Sequence, residues 1–391
     1  MDRTTRAWLV MAAVFFASVA VTVNQFKVPP VMQVLMADMG VGLVTGGWLM
    51  SIFAVAGVAL AIPAALLLAR LGFKVSGILA LVFCVAGAAL GAVSTNAPML
   101  LAGRMVEGIS AGLMGVTAPV TISAWFEPRK RGLPLGIWAA WVPVGNVIAF
   151  NVAHPLQEAF GWQALWWFGL GLALLAGLFY ALLVSDPPGS EPEAGQPTIR
   201  WTRGLASLPT WFLALAFGAF AFSLLGYNTW APTFLTDSLS IEPATASFYA
   251  SLIFMAAIPG NVVAGWAINR VRDRYRLLVG AFLISCILFV GAFRLGQPSA
   301  IIPYMLVLGF VTNFIPTAAF TLAPETMEHP SLAGISLAMM SMGANTGVLV
   351  GPPALGALVG SFGWAWGGLA LVVIMVLGTL ASVLAWKRAK T

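Results

Sequence analysis

Long apolar runs, broken by short clusters of Arg, Lys, Gly, Pro and Asn, recur along the whole chain. A helix needs about 20 mainly apolar residues to cross ~30 Å of hydrocarbon. On that measure the pattern predicts twelve spans, near 8–36, 44–68, 76–94, 98–124, 132–154, 162–184, 210–236, 245–268, 277–295, 299–324, 332–358 and 364–386. The only long polar stretch, Ser185 to Pro209, carries Pro187, Pro188, Gly189, Pro192 and Gly195. It reads as a linker, 186–209, between two six-helix halves, 1–185 and 210–391. The first run is too long, and too lacking in a small-residue cleavage site, to be a removable signal peptide.

Composition agrees with lipid as the solvent. Of 391 residues, 60% are hydrophobic and 8% charged, against roughly a quarter charged in an ordinary soluble domain. The net charge of +6 comes from basic clusters scattered between apolar runs, which argues for topology and against nucleic acid. With both termini cytoplasmic, setting aside Arg294, Lys27 and Arg104 leaves 16 of the 19 Lys and Arg on that side. They include Arg70, Lys74, Arg129, Lys130, Arg131, Arg270, Arg272, Arg274, Arg276, Lys387, Arg388 and Lys390. The opposite orientation would invert the ratio, so a multi-pass protein of the cell (inner or plasma) membrane with cytoplasmic termini is expected. Cys84 and Cys286 sit in apolar stretches and read as small apolar fillers. His154 and His329, at span ends, suggest no metal site.

The halves repeat at an offset near 200. Gly136, Gly145 and Pro155 match Gly334, Gly343 and Pro353, and Pro119 matches Pro316. Pro30 matches Pro232, Arg70 matches Arg270, and a Phe-Gly-Trp triplet opens both span 6 (Phe160–Trp162) and span 12 (Phe362–Trp364). The paired glycines are expected to allow close helix packing. Parallel six-helix repeats imply a substrate site between the halves near the midplane, reached by rocking of two bundles.

Over its whole length the chain resembles the major facilitator superfamily. The family's loop 2–3 signature is Gly-x-x-x-Asp-Arg-x-Gly-Arg-Lys/Arg; here Ala65 to Lys74 keeps Arg70 and Gly72, with Ala65 and Ala69 replacing the leading glycine and the aspartate. The second-half copy keeps Gly265 and Arg270, with Asn269 at the aspartate position. The resemblance implies that Arg70, Gly72, Gly265 and Arg270 belong to gating loops, without the usual aspartate pairing. Arg104-Met105-Val106-Glu107-Gly108 is similar to the family's Arg-x-x-Gln-Gly motif. The antiporter-type Gly-x-x-x-Gly-Pro signature is missing from span 5, while Gly347 to Pro352 in span 11 has that form. The stretch from Asn24 through Gly57 is similar to permeases of the cyanate and nitroimidazole group. The resemblance implies an all-α membrane protein, twelve transmembrane helices in two pseudo-symmetric six-helix bundles, and alternating access.

Ionisable groups at membrane depth need a partner or a job. Lys27 lies ~28 Å along span 1, and Arg104 and Glu107 one turn apart, about 9–14 Å into span 4. In the family's fold these helices line one cavity, which would hold a net charge of +1. One reading makes Lys27 or Arg104 the counter-ion of an anionic substrate and Glu107 the proton-coupling group, with Arg104 sharing in coupling or gating. The other makes Glu107 a fixed partner of one cation while the second snorkels outward. Asn24, Asn146, Asn228, Asn261, Asn313 and Asn345, with Tyr227 and Thr317, are candidates either for ligand contacts or for bonds between helices. Trp138, Trp141 and Trp230 could shape the cavity.

No Walker loop is present, so ATP is not the expected driving force. The expectation is a monomeric secondary transporter for a small organic or inorganic anion. It would work by proton symport, in the lipid bilayer, without enzymatic activity, cofactor or metal. Its candidate substrate ligands are Lys27, Asn24, Arg104, Trp141, Asn146, Tyr227, Asn228, Asn313 and Asn345, with Glu107 and Arg104 for proton coupling. The alternative is proton-driven multidrug efflux, which an aromatic, Met-rich interior would suit.

Overall fold

Helix after helix, joined by tight turns, makes up the computed structural model, which describes residues 2–127, 130–185, 204–329 and 332–389; no strand occurs among them. Arg129, Lys390 and most of the predicted linker, with Pro187, Pro188, Gly189, Pro192 and Gly195, lie outside the described residues.

The first span is broken. Helix α1 (Arg3–Phe26) ends before a single 3-10 turn, Pro29–Val31, and α2 (Met32–Met39) continues it. Two adjacent prolines remove two backbone donors here and weaken the helix at this point, although the pair Pro352-Pro353 is carried inside a later helix without ending it. Then come α3 (Leu43–Ser51), α4 (Phe53–Ala92, with non-helical Gly72 inside it), α5 (Ala97–Trp125), α6 (Gly132–Ala139), α7 (Trp141–Phe160) and α8 (Gln163–Leu183). The rest of the chain forms α9 (Leu208–Leu239), α10 (Pro243–Arg270), α11 (Arg274–Phe289), α12 (Pro298–Thr312), α13 (Phe314–Glu325), α14 (Ala333–Phe362) and α15 (Trp364–Arg388). Short polar residues start several of them. Asp2, Asn96, Glu242 and Asp273 each accept hydrogen bonds from backbone N–H groups of the first turn they cap.

Among the described residues, ten helical stretches are long and apolar enough to cross a membrane, or eleven if the bent pair Leu43–Ser51 and Phe53–Leu60 forms one span. The twelve predicted spans exceed this count at the ninth. There α11 has only 16 residues, about 24 Å at 1.5 Å per residue. It gives way to turns around Phe293, whose φ of 55° no helix accommodates.

The chain forms two compact units, residues 1–41 with 52–195, and residues 42–51 with 196–391. In the first, Val10, Val14, Ala17, Val21, Leu81, Met114, Ile122 and Ala173 form an apolar core shared by α1, α4, α5 and α8. Backbones touch where side chains are absent: a Cβ on Gly108 would lie 2.2 Å from the Phe53 carbonyl. In the second unit a Cβ on Gly309 would lie 2.1 Å from the Ile253 carbonyl, the same contact displaced by 201 and 200 residues.

Turns repeat as well. Gly161 (φ 80°, ψ 169°) and Gly363 (φ 85°, ψ 173°) both end one helix and admit the next, in a conformation that glycine alone adopts freely. Gly40 and Ser240 both close helices in the left-handed region, at φ 61° and 52°. Of the matched glycines, Gly145 packs on Thr22 and Gly343 on the Ala214 carbonyl, whereas Gly136 and Gly334 face open space. The expectation of close packing therefore fails for the latter pair.

Candidate functional site

Breaking α1 at Pro29 leaves its last carbonyls without intrahelical donors, and the Gln25 oxygen loses its donor because Pro29 has no N–H. Arg104, on α5, fills this gap. Its Nη1 donates to the Asn24 carbonyl at 2.5 Å and its Nη2 to the Gln25 carbonyl at 2.8 Å. Nη1 also donates to Glu107 Oε2 at 2.5 Å, one turn along the same helix. The guanidinium carbon lies 4.8 Å from the centre of the Phe53 ring.

The other Glu107 oxygen takes Lys27. Nζ donates to Glu107 Oε1 at 2.6 Å and to Asn24 Oδ1 at 2.8 Å, and lies 4.6 Å from the centre of the Trp166 ring. Asn24 is itself fixed by amide hydrogen bonds to the carbonyls of Ala20, 3.0 Å, and Gly169, 3.1 Å. Lys27, Arg104, Glu107 and Asn24 are all buried to within 1% of complete. One carboxylate thus serves two cations, and the cluster keeps a net charge of +1. Neither cation snorkels. Desolvating three charges is costly unless each is paired and hydrogen-bonded, and every one of these is.

Among the described residues, the second unit has no such cluster at the matching place. The offset of 200 that relates the Gly40 and Ser240 turns carries Lys27 to Tyr227, and the offset of 201 that relates Gly108 to Gly309 carries Arg104 to Met305. Those two meet directly, with Tyr227 Oη 3.8 Å from Met305 Sδ. Phe289, Phe293 and Tyr304 surround the Tyr227 ring at 5.0–6.3 Å between centres.

Comparison with known proteins fixes the family. The sequence model described as Major Facilitator Superfamily matches residues 11–337 and 235–391. This chain belongs to that superfamily. It is 28% identical to a chloramphenicol resistance protein from Streptomyces lividans, over 91% of this chain and 92% of the other. It is 23% identical to a glycerol-3-phosphate transporter from Bacillus subtilis, over 76% and 73%. A crystal structure of a bacterial homologue of the human lysosomal transporter Spinster superposes with a TM-score of 0.81 at 16% identity, covering 98% of this chain and 96% of that one. The chain is therefore a multi-pass membrane transporter with the superfamily's fold.

The remaining candidates belong partly to the first unit and partly to the second. Trp141 stacks on Trp138 with centres 5.6 Å apart, and Asn146 is buried on the same helix, α7. Asn228 joins α9 to α10 by donating to the Ala250 carbonyl at 3.2 Å. Asn313 and Asn345 donate to carbonyls of their own helices, Gly309 and Ser341. Gly72 in the loop signature has φ 75° and ψ 175°, which explains why a glycine stands there. Gly265 shows no such demand; it lies inside α10. Arg270 ends that helix with its guanidinium 4.0 Å from the Trp266 ring centre. Nearby, Arg274 pairs with Glu325, an ion pair outside the residues of the signature.

Sequence reasoning missed Trp166 and Gly169. Nothing marks one tryptophan among 15, and both act through helix register alone. The Pro29-Pro30 pair was the available signal for Arg104, because a broken buried helix must find donors for its carbonyls.

Proposed function

We propose that this transporter carries a small organic anion by alternating access, in symport with protons, with the buried cluster of the first unit as its charge-recognition site. The observation that carries this reading is the single carboxylate shared by two buried cations. A proton on Glu107 releases Lys27 from its ion pair and leaves an ammonium with no anion in a water-poor surrounding. An incoming carboxylate, phosphate or sulfonate satisfies it. Proton and anion therefore enter together, because each without the other leaves the cluster with a charge of +2 or an anion competing with Glu107. Arg104, committed to backbone carbonyls, keeps the site in place. The protein acts as a monomer in the cell membrane with both termini cytoplasmic. The Bacillus subtilis relative is a transporter of glycerol 3-phosphate, an anion of this class.

The test is uptake into proteoliposomes with a panel of labelled carboxylates, phosphate esters and sulfonates, with and without an inward proton gradient. Accumulation driven by the gradient is expected for at least one anion class. Uptake of neutral or cationic compounds only would refute the reading. A second reading, proton-driven drug efflux, is favoured by the resistance protein that is 28% identical over 91% of the chain. It predicts that expression raises tolerance to amphipathic drugs and that an uncoupler abolishes the effect.

A further inference from the structure

Three helices bracket the Lys27 ammonium. Asn24 comes from α1 and Glu107 from α5, while α8 contributes the Trp166 ring face at 4.6 Å. One turn later on α8, the Gly169 carbonyl holds the Asn24 amide at 3.1 Å, which turns the Asn24 oxygen toward the ammonium.

Trp166 is fully buried, and its Nε1 makes no hydrogen bond among the described residues. A buried indole usually points its N–H at an acceptor, so this ring's placement serves something else. Sterics and a second indole set it. Gly91 on α4 leaves room for the ring, since a Cβ there would lie 2.2 Å from it. Trp162 meets it edge-on, centres 5.1 Å apart at 85°, and Trp162 Nε1 donates to Asp38 Oδ2 at 2.8 Å. The ring is thus fixed independently of the charges it faces.

A ring face attracts an ammonium whether or not a neighbouring carboxylate is ionised. From this geometry we propose that Trp166 is a positioning residue for Lys27. Its ring, with the Asn24 oxygen fixed by Gly169, holds the ammonium in place while a proton neutralises Glu107. This rests on the function proposed above. The groups that face Glu107 are Lys27 from α1, Arg104 on its own helix and Cys84 from α4. Of these, Lys27 lies over the Trp166 ring.

Thermal melting of the full-length protein in detergent tests the proposal without any substrate. Trp166→Leu and Trp166→Phe are compared in three backgrounds: unaltered, Lys27→Met and Glu107→Gln. Trp166→Leu is expected to lower the melting temperature most in Glu107→Gln, where the ammonium depends on the ring, and least in Lys27→Met. Trp166→Phe should recover most of the loss. Should Trp166→Leu not purify, the ranking of Trp166→Phe across the three backgrounds decides. Equal losses in all three would make Trp166 a space-filler and overturn the proposal. In proteoliposomes Trp166→Leu should raise the KM for the transported anion about 5- to 30-fold, the loss of one buried cation–π contact. A normal melting cycle with no anion uptake in any variant would refute the proposed function and leave the positioning contact standing.

Discussion

Arg104 Nη2 donates to the Gln25 carbonyl at 2.8 Å, the oxygen that Pro29 leaves without a backbone donor. An arginine that joins one helix to the broken end of another is a structural tie before it is anything else. Its fork reaches two carbonyls and a carboxylate at once, which a lysine's single ammonium does not reproduce.

Arg104→Lys should therefore destabilise the protein despite keeping the charge. Each buried acceptor left unmade costs ~1–3 kcal/mol. Melting of the purified variant should fall by several degrees, with Arg104→Gln lower still. An unchanged melting temperature in Arg104→Lys would contradict the tie.

The equivalence of Gly145 and Gly343 makes a graded prediction. A Cβ at Gly343 meets the Ala214 backbone carbonyl at 2.1 Å, while one at Gly145 meets the Thr22 side chain at 2.5 Å. Backbone yields less than a side chain, and overpacking typically costs ~1–3 kcal/mol. Gly343→Ala should lower the yield of monodisperse protein more than Gly145→Ala. Gly136→Ala and Gly334→Ala, which face open space, should express normally. Size-exclusion profiles of the four variants check the order.

How far the sequence revealed this fold depends on the kind of signal. Apolar run length located the spans because the bilayer imposes it, but it placed the end of the ninth helix too late. There the residues are apolar and the backbone turns at Phe293 all the same. The Phe-Gly-Trp triplets were legible as a repeat because a positive-φ turn requires glycine in both halves. The matching turn at Gly40 and Ser240 was hidden, since serine does not advertise a left-handed conformation. At the site, Lys27, Arg104 and Glu107 were legible from the cost of burying charge. Their mutual geometry was not, because it depends on how α1, α5 and α8 register against one another.

Topology follows from the distribution of Lys and Arg. A single cysteine placed at Thr4 or at Ala389, in a background with Cys84 and Cys286 replaced, should resist an impermeant thiol reagent in intact cells. It should react once the membrane is opened. Labelling from outside intact cells would reverse the orientation.

The sharpest expectation concerns the charge count of the cluster. Lys27→Met leaves Arg104 and Glu107 as a neutral, hydrogen-bonded pair. Glu107→Gln instead leaves two buried cations, Lys27 and Arg104, with no carboxylate between them. Breaking a buried pair by removing one partner costs ~3–5 kcal/mol, and the like-charge case should lie at the upper end. Melting should therefore rank the unaltered protein above Lys27→Met, and Lys27→Met above Glu107→Gln. The double variant should recover much of the Glu107→Gln loss, because only the backbone-bonded Arg104 stays charged. Transport should divide differently. Lys27→Met should abolish anion binding, whereas Glu107→Gln should keep anion exchange and lose accumulation driven by a proton gradient. Both readouts come from the same three variants, by thermal melting and by proteoliposome uptake. Thermal recovery in the double variant with anion affinity left intact would reduce Lys27 to a structural partner of Glu107 and end its role as counter-ion.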